Sequence, residues 1–182
     1  MAGALYIGLI RAIGPMTHAK MPMAALREAC VNAGFTDVAT VLATGNVLFR
    51  AEGGRAAALR KLQGVVNGFG LDNAVILRTP AELARIVAGN PFADAAADHP
   101  SALVVFFLAD PPRDTDWLAD HPGPERLSLS GLDLYVDYPG PIATTKLPPA
   151  KVEKRLGVTT TFRSWNTVVK LAAAAFSLEK KG

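Results

Sequence analysis

Two seven-residue stretches, 4–10 (Ala-Leu-Tyr-Ile-Gly-Leu-Ile) and 102–108 (Ala-Leu-Val-Val-Phe-Phe-Leu), carry no charged residue. Neither approaches the roughly 20 apolar residues that would cross a bilayer. Both read as strands buried within a sheet, 102–108 as a central one. Each opens a similar run of elements. After the first comes a loop with Gly14 and Pro15. Met23, Leu26, Cys30 and Ala33 then recur at helical spacing, closed by Gly34. Strands are expected at 37–42 and 46–50, joined by the tight turn Thr44-Gly45-Asn46. Leu59, Leu62, Val66 and Phe69 mark a second helix ended by Gly70, and 73–78 is a fourth strand. The order is βαββαβ, that of the ferredoxin-like split βαβ unit.

The second half repeats the order more loosely. Thr79 caps a short helix that starts at Pro80 and runs through Val87. Residues 93–101 are small and acidic and read as a loop, the best candidate for a linker. A short helix around Asp114–Ala119, a hairpin of 126–129 with 132–137, a helix over 149–156 and a strand over 158–162 follow. Ser164 caps a last helix that begins at Trp165. The expected fold class is therefore α+β: two tandem ferredoxin-like units, residues 1–91 and 92–182, the second with a C-terminal helix. The 182 residues, half of them hydrophobic, suffice for two small cores.

Charge is segregated along the chain. Residues 1–91 carry a net +4, residues 92–143 a net −7 and residues 144–182 a net +6. Segregation of this kind marks either a basic binding face or opposite blocks that pack near each other or face water. The overall +3 is weak for a nucleic-acid binder. An RNA-recognition sheet needs aromatic side chains on its central strands. Here Val47, Leu48 and Phe49 lack the alternating aromatic pair, and Tyr6 stands alone. Any nucleic-acid contact falls to Lys151, Lys154, Arg155 and the terminal lysines.

Several chemistries lack their residues. There is no Gly-x-x-x-x-Gly-Lys-Ser/Thr phosphate loop, no Gly-x-Gly-x-x-Gly and no Gly-x-Ser-x-Gly elbow. His18, His99 and His121 are far apart in sequence, do not suggest a zinc site and read as surface histidines. Asp110, Asp114, Asp116 and Asp120 lack the Gly-centred calcium-loop pattern and read as a solvated acidic face. The single cysteine, Cys30, lies on an apolar helix stripe and forms no disulfide framework. The N-terminal apolar run has no basic leader and ends at Arg11, so a strand is expected there and not a signal peptide. A reducing cytoplasm fits both features. No cofactor and no metal are expected, and no general base stands out to name a reaction.

Certain segments together are distinctive. They are Leu9-Ile10-Arg11-Ala12-Ile13, Lys20-Met21, Thr44-Gly45-Asn46-Val47, Asn90-Pro91-Phe92, Thr145-Lys146-Leu147 and 163–171 (Arg-Ser-Trp-Asn-Thr-Val-Val-Lys-Leu). In them the chain resembles the bacterial family called domain of unknown function 1697. The resemblance spans essentially the whole chain. It implies a duplicated α+β, ferredoxin-like architecture and a cytoplasmic protein, and no activity. One loop departs. The family pattern Arg-Gly-Ile-Asn-Val-Gly-Gly is replaced by Arg11-Ala12-Ile13-Gly14-Pro15-Met16-Thr17-His18, without its asparagine and two of its glycines.

The residues point to a small anionic ligand, expected in the cleft between the two units. Arg11 and Lys20 flank the first loop and are charge-assisted donors for phosphate or carboxylate. Arg163, Trp165, Asn166 and Lys170 surround the start of the last helix, where free N–H groups and the dipole favour an anion. Asn46 sits in the hairpin turn. Lys146, with Thr144 and Thr145, lies in a proline-bounded loop that offers two hydroxyls and an ammonium to an oxyanion. The competing readings are weak nucleic-acid binding and a homodimer formed through an exposed sheet edge.

Overall fold

The computed structural model describes residues 3–181 and contains two four-stranded antiparallel sheets with helices. The chain divides into two compact units. One takes in the chain up to Arg85 and again from Lys170; the other is Ile86–Val169.

The first unit follows β1 (Ala4–Ile10), α1 (Pro15–Lys20), α2 (Met23–Asn32), β2 (Thr36–Thr40), β3 (Asn46–Ala51), α3 (Gly54–Gly68) and β4 (Val75–Arg78). Its strand order is β2-β3-β1-β4. Tyr6 stands opposite Phe49, and Gly8 opposite Leu77. Strand side chains alternate between faces. Tyr6, Ile10, Val47, Phe49 and Leu77 therefore meet the stripes Leu26/Cys30 of α2 and Ala58/Leu62/Val66 of α3 in one core. Fully burying a side chain such as Leu62 contributes roughly 1.5–3 kcal/mol relative to leaving it exposed. Gly8 lets α3 come this close, because a Cβ there would strike Leu62 Cδ2 and lie 3.0 Å from Val47 Cγ1. The Cys30 thiol is buried in that core, and burial pushes its pKa up to about 12, so it is inert.

The second unit contains part of α4 (Pro80–Ala88), then α5 (Ala93–Asp98), β5 (Leu103–Leu108), α6 (Asp116–Ala119), β6 (Arg126–Ser130), β7 (Asp133–Asp137), α7 (Pro149–Leu156) and β8 (Thr160–Ser164). It also takes in the start of α8 (Trp165–Glu179). Its strand order, β6-β7-β5-β8, repeats the pattern of the first sheet. Val104, Phe106 and Leu108 pack with Leu134, Val136 and the α7 stripe Val152/Leu156. The start of α4 is a capping box. The Glu82 N–H donates to Thr79 Oγ1 at 3.2 Å, and the Thr79 N–H donates to Glu82 at 2.7 Å.

Two segments expected as loops are helical. Residues 15–20 form α1, whose first residue is a proline with φ already set for a helix. No residue of α1 is buried, so it leaves no apolar period to read. Residues 93–98 form α5, anchored by a single buried alanine, Ala95. It is held by charge as well: Arg126 bridges Asp94 and Asp137, and His99 Nε2 lies 2.6 Å from Asp137. Among the described residues no helix is long and apolar enough to cross a membrane.

Candidate functional site

The eight candidates fall in both units. In the first, Asn46 is fully buried at the start of β3. Its amide donates to Val41 O and to Thr44 Oγ1, each at 2.9 Å. That clamp shapes the β2–β3 turn, which docks on the end of β1 through Ile10 N–H to Gly45 O at 2.8 Å. Gly45 is required there: its φ is +77, and a Cβ would strike Ile13 and come 3.1 Å from Ile10 O. Arg11 is half-buried; its carbonyl accepts from Asn73 Nδ2 at 2.8 Å. Lys20 ends α1 and Lys170 lies on α8, both exposed.

In the second unit, Arg163, Trp165 and Asn166 mark the β8–α8 junction. Arg163 is buried. Its Nη1 donates to Thr161 Oγ1 and Phe162 O, both at 2.8 Å, and burial lowers its pKa to about 10. Trp165 is buried. Asn166 is exposed, with Nδ2 3.5 Å from Ser101 Oγ. Of the eight, only Lys146 lines a cavity of about 670 Å³ in this unit.

The cavity lies between two proline-rich loops and α7. His121-Pro122-Gly123-Pro124-Glu125 forms one wall, and the loop after β7, with Pro139, Pro141 and the 3-10 turn Ile142–Thr144, forms another. Proline fixes φ, so these walls are stiff without regular hydrogen bonding. Lys151 and Arg155, four residues apart on α7, close the third side.

A polar chain holds the loops together. His121 Nε2 lies 2.7 Å from one Glu125 oxygen, and the Thr145 hydroxyl donates to the other. Thr145 Oγ1 also accepts from Leu147 N–H at 3.0 Å. Burial pushes the Glu125 carboxyl up, but the hydrogen bonds from Thr145 and His121 outweigh it and hold its pKa below the usual carboxylate value. An ionised carboxylate only accepts, so His121 Nε2 is the donor in this contact. Gly123 makes room for the pair, since a Cβ there would strike Glu125 Oε2 and His121 Nε2.

Two expectations are corrected here. His121 is not a surface histidine: its side chain is 10% exposed, and its Nδ1 is buried with no hydrogen-bond partner among the described residues. Nor do Thr144 and Thr145 offer free hydroxyls. Thr144 Oγ1 donates to Pro141 O at 3.1 Å, and Thr145 is engaged by Glu125. That leaves the cations. Lys151 Nζ donates to Lys146 O at 3.1 Å, and Arg155 lies 4.8 Å over the Trp117 ring. Among the described residues neither lysine nor Arg155 is ion-paired with a carboxylate.

The His121–Glu125 pair has a local signal that the reading of His121 as a surface residue passes over: a glutamate four residues after a histidine, across Pro-Gly-Pro.

A model of the family described as "Protein of unknown function (DUF1697)" matches residues 4–135. The matched span contains His121 and Glu125 and ends before Lys146, Lys151 and Arg155. A solved structure of the conserved bacterial protein SP0830 from Streptococcus pneumoniae is similar in fold. It has a TM-score of 0.66 and 18% identity, over 96% of this chain and 99% of that one. No curated protein matches the chain.

Proposed function

The chain belongs to the family of proteins of unknown function DUF1697, and from its own residues we propose that it binds a small anionic molecule in the cavity of its second unit. The observation that carries this reading is an imbalance of charge. Among the described residues Lys146, Lys151 and Arg155 line one cavity without a carboxylate partner, while both oxygens of Glu125, the carboxylate in its lining, are taken by Thr145 and His121. Charge-assisted bonds to an anion satisfy the three cations. The volume of about 670 Å³ is that of a small-molecule site. Lys146 is kept from the sequence reading, and Lys151 and Arg155 pass from the nucleic-acid reading to the pocket. The shared strand order supports reading both units as ferredoxin-like, and the lone buried Cys30 suits a reducing cytoplasm.

Nucleic-acid binding is the second reading, favoured by Lys154, a further exposed cation on α7 beside Lys151. A homodimer is the third, favoured by Phe162, 41% exposed on the edge strand β8.

A thermal-shift panel of carboxylates, phosphates, nucleotides and short oligonucleotides at two salt concentrations tests these readings. A ligand at about 100 times its Kd stabilises the fold by roughly 2.7 kcal/mol. The pocket reading expects a shift with small anions that changes mildly with salt and is lost in Lys146→Ala and Arg155→Ala. A response confined to oligonucleotides and steep in salt replaces it with nucleic-acid binding. A flat panel removes both and leaves the dimer, which sedimentation at several protein concentrations then reads.

A further inference from the structure

Resting on the anion reading, we propose that the ligand of this cavity is a phosphomonoester, bound as a dianion through its three terminal oxygens. Among the described residues its lining holds three cations, Lys146, Lys151 and Arg155, and one carboxylate, Glu125, a surplus of two positive charges. A monocarboxylate or a phosphodiester brings one negative charge and leaves half of that surplus; a phosphomonoester brings close to two near neutral pH.

The three cations also line the same cavity. Lys151 and Arg155 stand four residues apart on α7, a spacing at which like charges destabilise a helix. The Lys151 ammonium donates to the Lys146 carbonyl at 3.1 Å, which sets this helix cation beside the loop that carries Lys146. Arg155 is steadied by the Trp117 face. A guanidinium fork matches two oxygens of a tetrahedral anion, and lysines act on it as point charges. The hydroxyls of Thr144 and Thr145 are spent on internal partners, so recognition rests on charge. A cavity of about 670 Å³ is far larger than one phosphate group, which argues for an ester with a body to fill the remainder.

Calorimetric titration of the full chain tests this with phenyl phosphate, methyl phenyl phosphate, benzoate, malonate and inorganic phosphate. The expected result is that phenyl phosphate binds at least about tenfold tighter than its methyl diester and benzoate, a difference of about 1.4 kcal/mol. It also binds tighter than malonate and inorganic phosphate. Lys151→Met and Arg155→Met, at positions that make no ion pair among the described residues, each remove about tenfold of affinity from a chain that still unfolds cooperatively. Equal binding of the diester or of malonate overturns the phosphomonoester while the anion reading stands. Equal binding of inorganic phosphate overturns the ester alone. Binding of no anion overturns both.

Discussion

His121 Nε2 lies 2.7 Å from Glu125 Oε2, with the Glu125 side chain only 4% exposed. Thr145 donates to the other oxygen, so one carboxylate ties the loop before β6 to the loop after β7. The pair is thus first a latch that shapes the cavity.

That latch gives a pH dependence with a definite sign. The folded pKa of Glu125 lies below its ordinary 4.5. The folded state therefore binds this proton less readily than the unfolded chain does. Its contribution is fully present above the ordinary value and is lost as pH falls through the lower folded one. Between about pH 5 and pH 3, the Tm of the wild type is expected to fall more steeply than that of Glu125→Gln. At neutral pH the variant is expected to be less stable by about 1–3 kcal/mol, the cost of disrupting a buried bonded group. Parallel Tm curves for the two proteins would show that the latch carries no charge-dependent stability.

Asn46 looks like a ligand residue in the sequence, and in the structure its amide serves the chain itself. With no exposure and bonds to Val41 O and Thr44 Oγ1, it fixes the turn that docks on β1. Asn46→Ala is expected to destabilise the fold by about 1–3 kcal/mol, since it empties a fully buried position and removes the bonds that hold the turn. It is expected to leave anion affinity unchanged. Urea titration reads the first and calorimetry the second. An unchanged midpoint with lost affinity would return Asn46 to the binding site.

What could be read from the sequence follows from periodicity. The stripe Leu59, Leu62, Val66 announces α3 because those positions share one helix face, and the uncharged run 102–108 announces β5 because both its faces are closed. Helices α1 and α5 escaped because six residues burying at most one side chain show no period. The cavity escaped for a different reason. Its walls are loops built on prolines, and its polar chain joins residues 121, 125 and 145, whose proximity depends on how β6 and β7 bring two loops to one place. Lys146 is legible because a cation in a proline-bounded loop is conspicuous by itself. Glu125 is not, because a carboxylate reads as solvated until its partners are known.

Ala12 holds φ +54 at the end of β1, a left-handed conformation that costs a residue with a Cβ roughly 1–2 kcal/mol. The backbone is kept there by Asn73, whose amide donates to Arg11 O at 2.8 Å and to Ala12 O at 3.4 Å, and by the Thr17 hydroxyl on Ala12 O at 3.3 Å. Glycine is the residue that this conformation favours, so the alanine here carries the strain. Ala12→Gly relieves the strain and loosens the unfolded chain, two opposed effects of which the first is the larger. The variant is expected to gain about 0.5–1 kcal/mol, a rise in Tm of about 2 °C. Ala12→Val, with a branched Cβ in the same conformation, is expected to lose more than about 1 kcal/mol. A fall in Tm for Ala12→Gly, measured by calorimetry beside Ala12→Val, would mean that the loop carries no such strain.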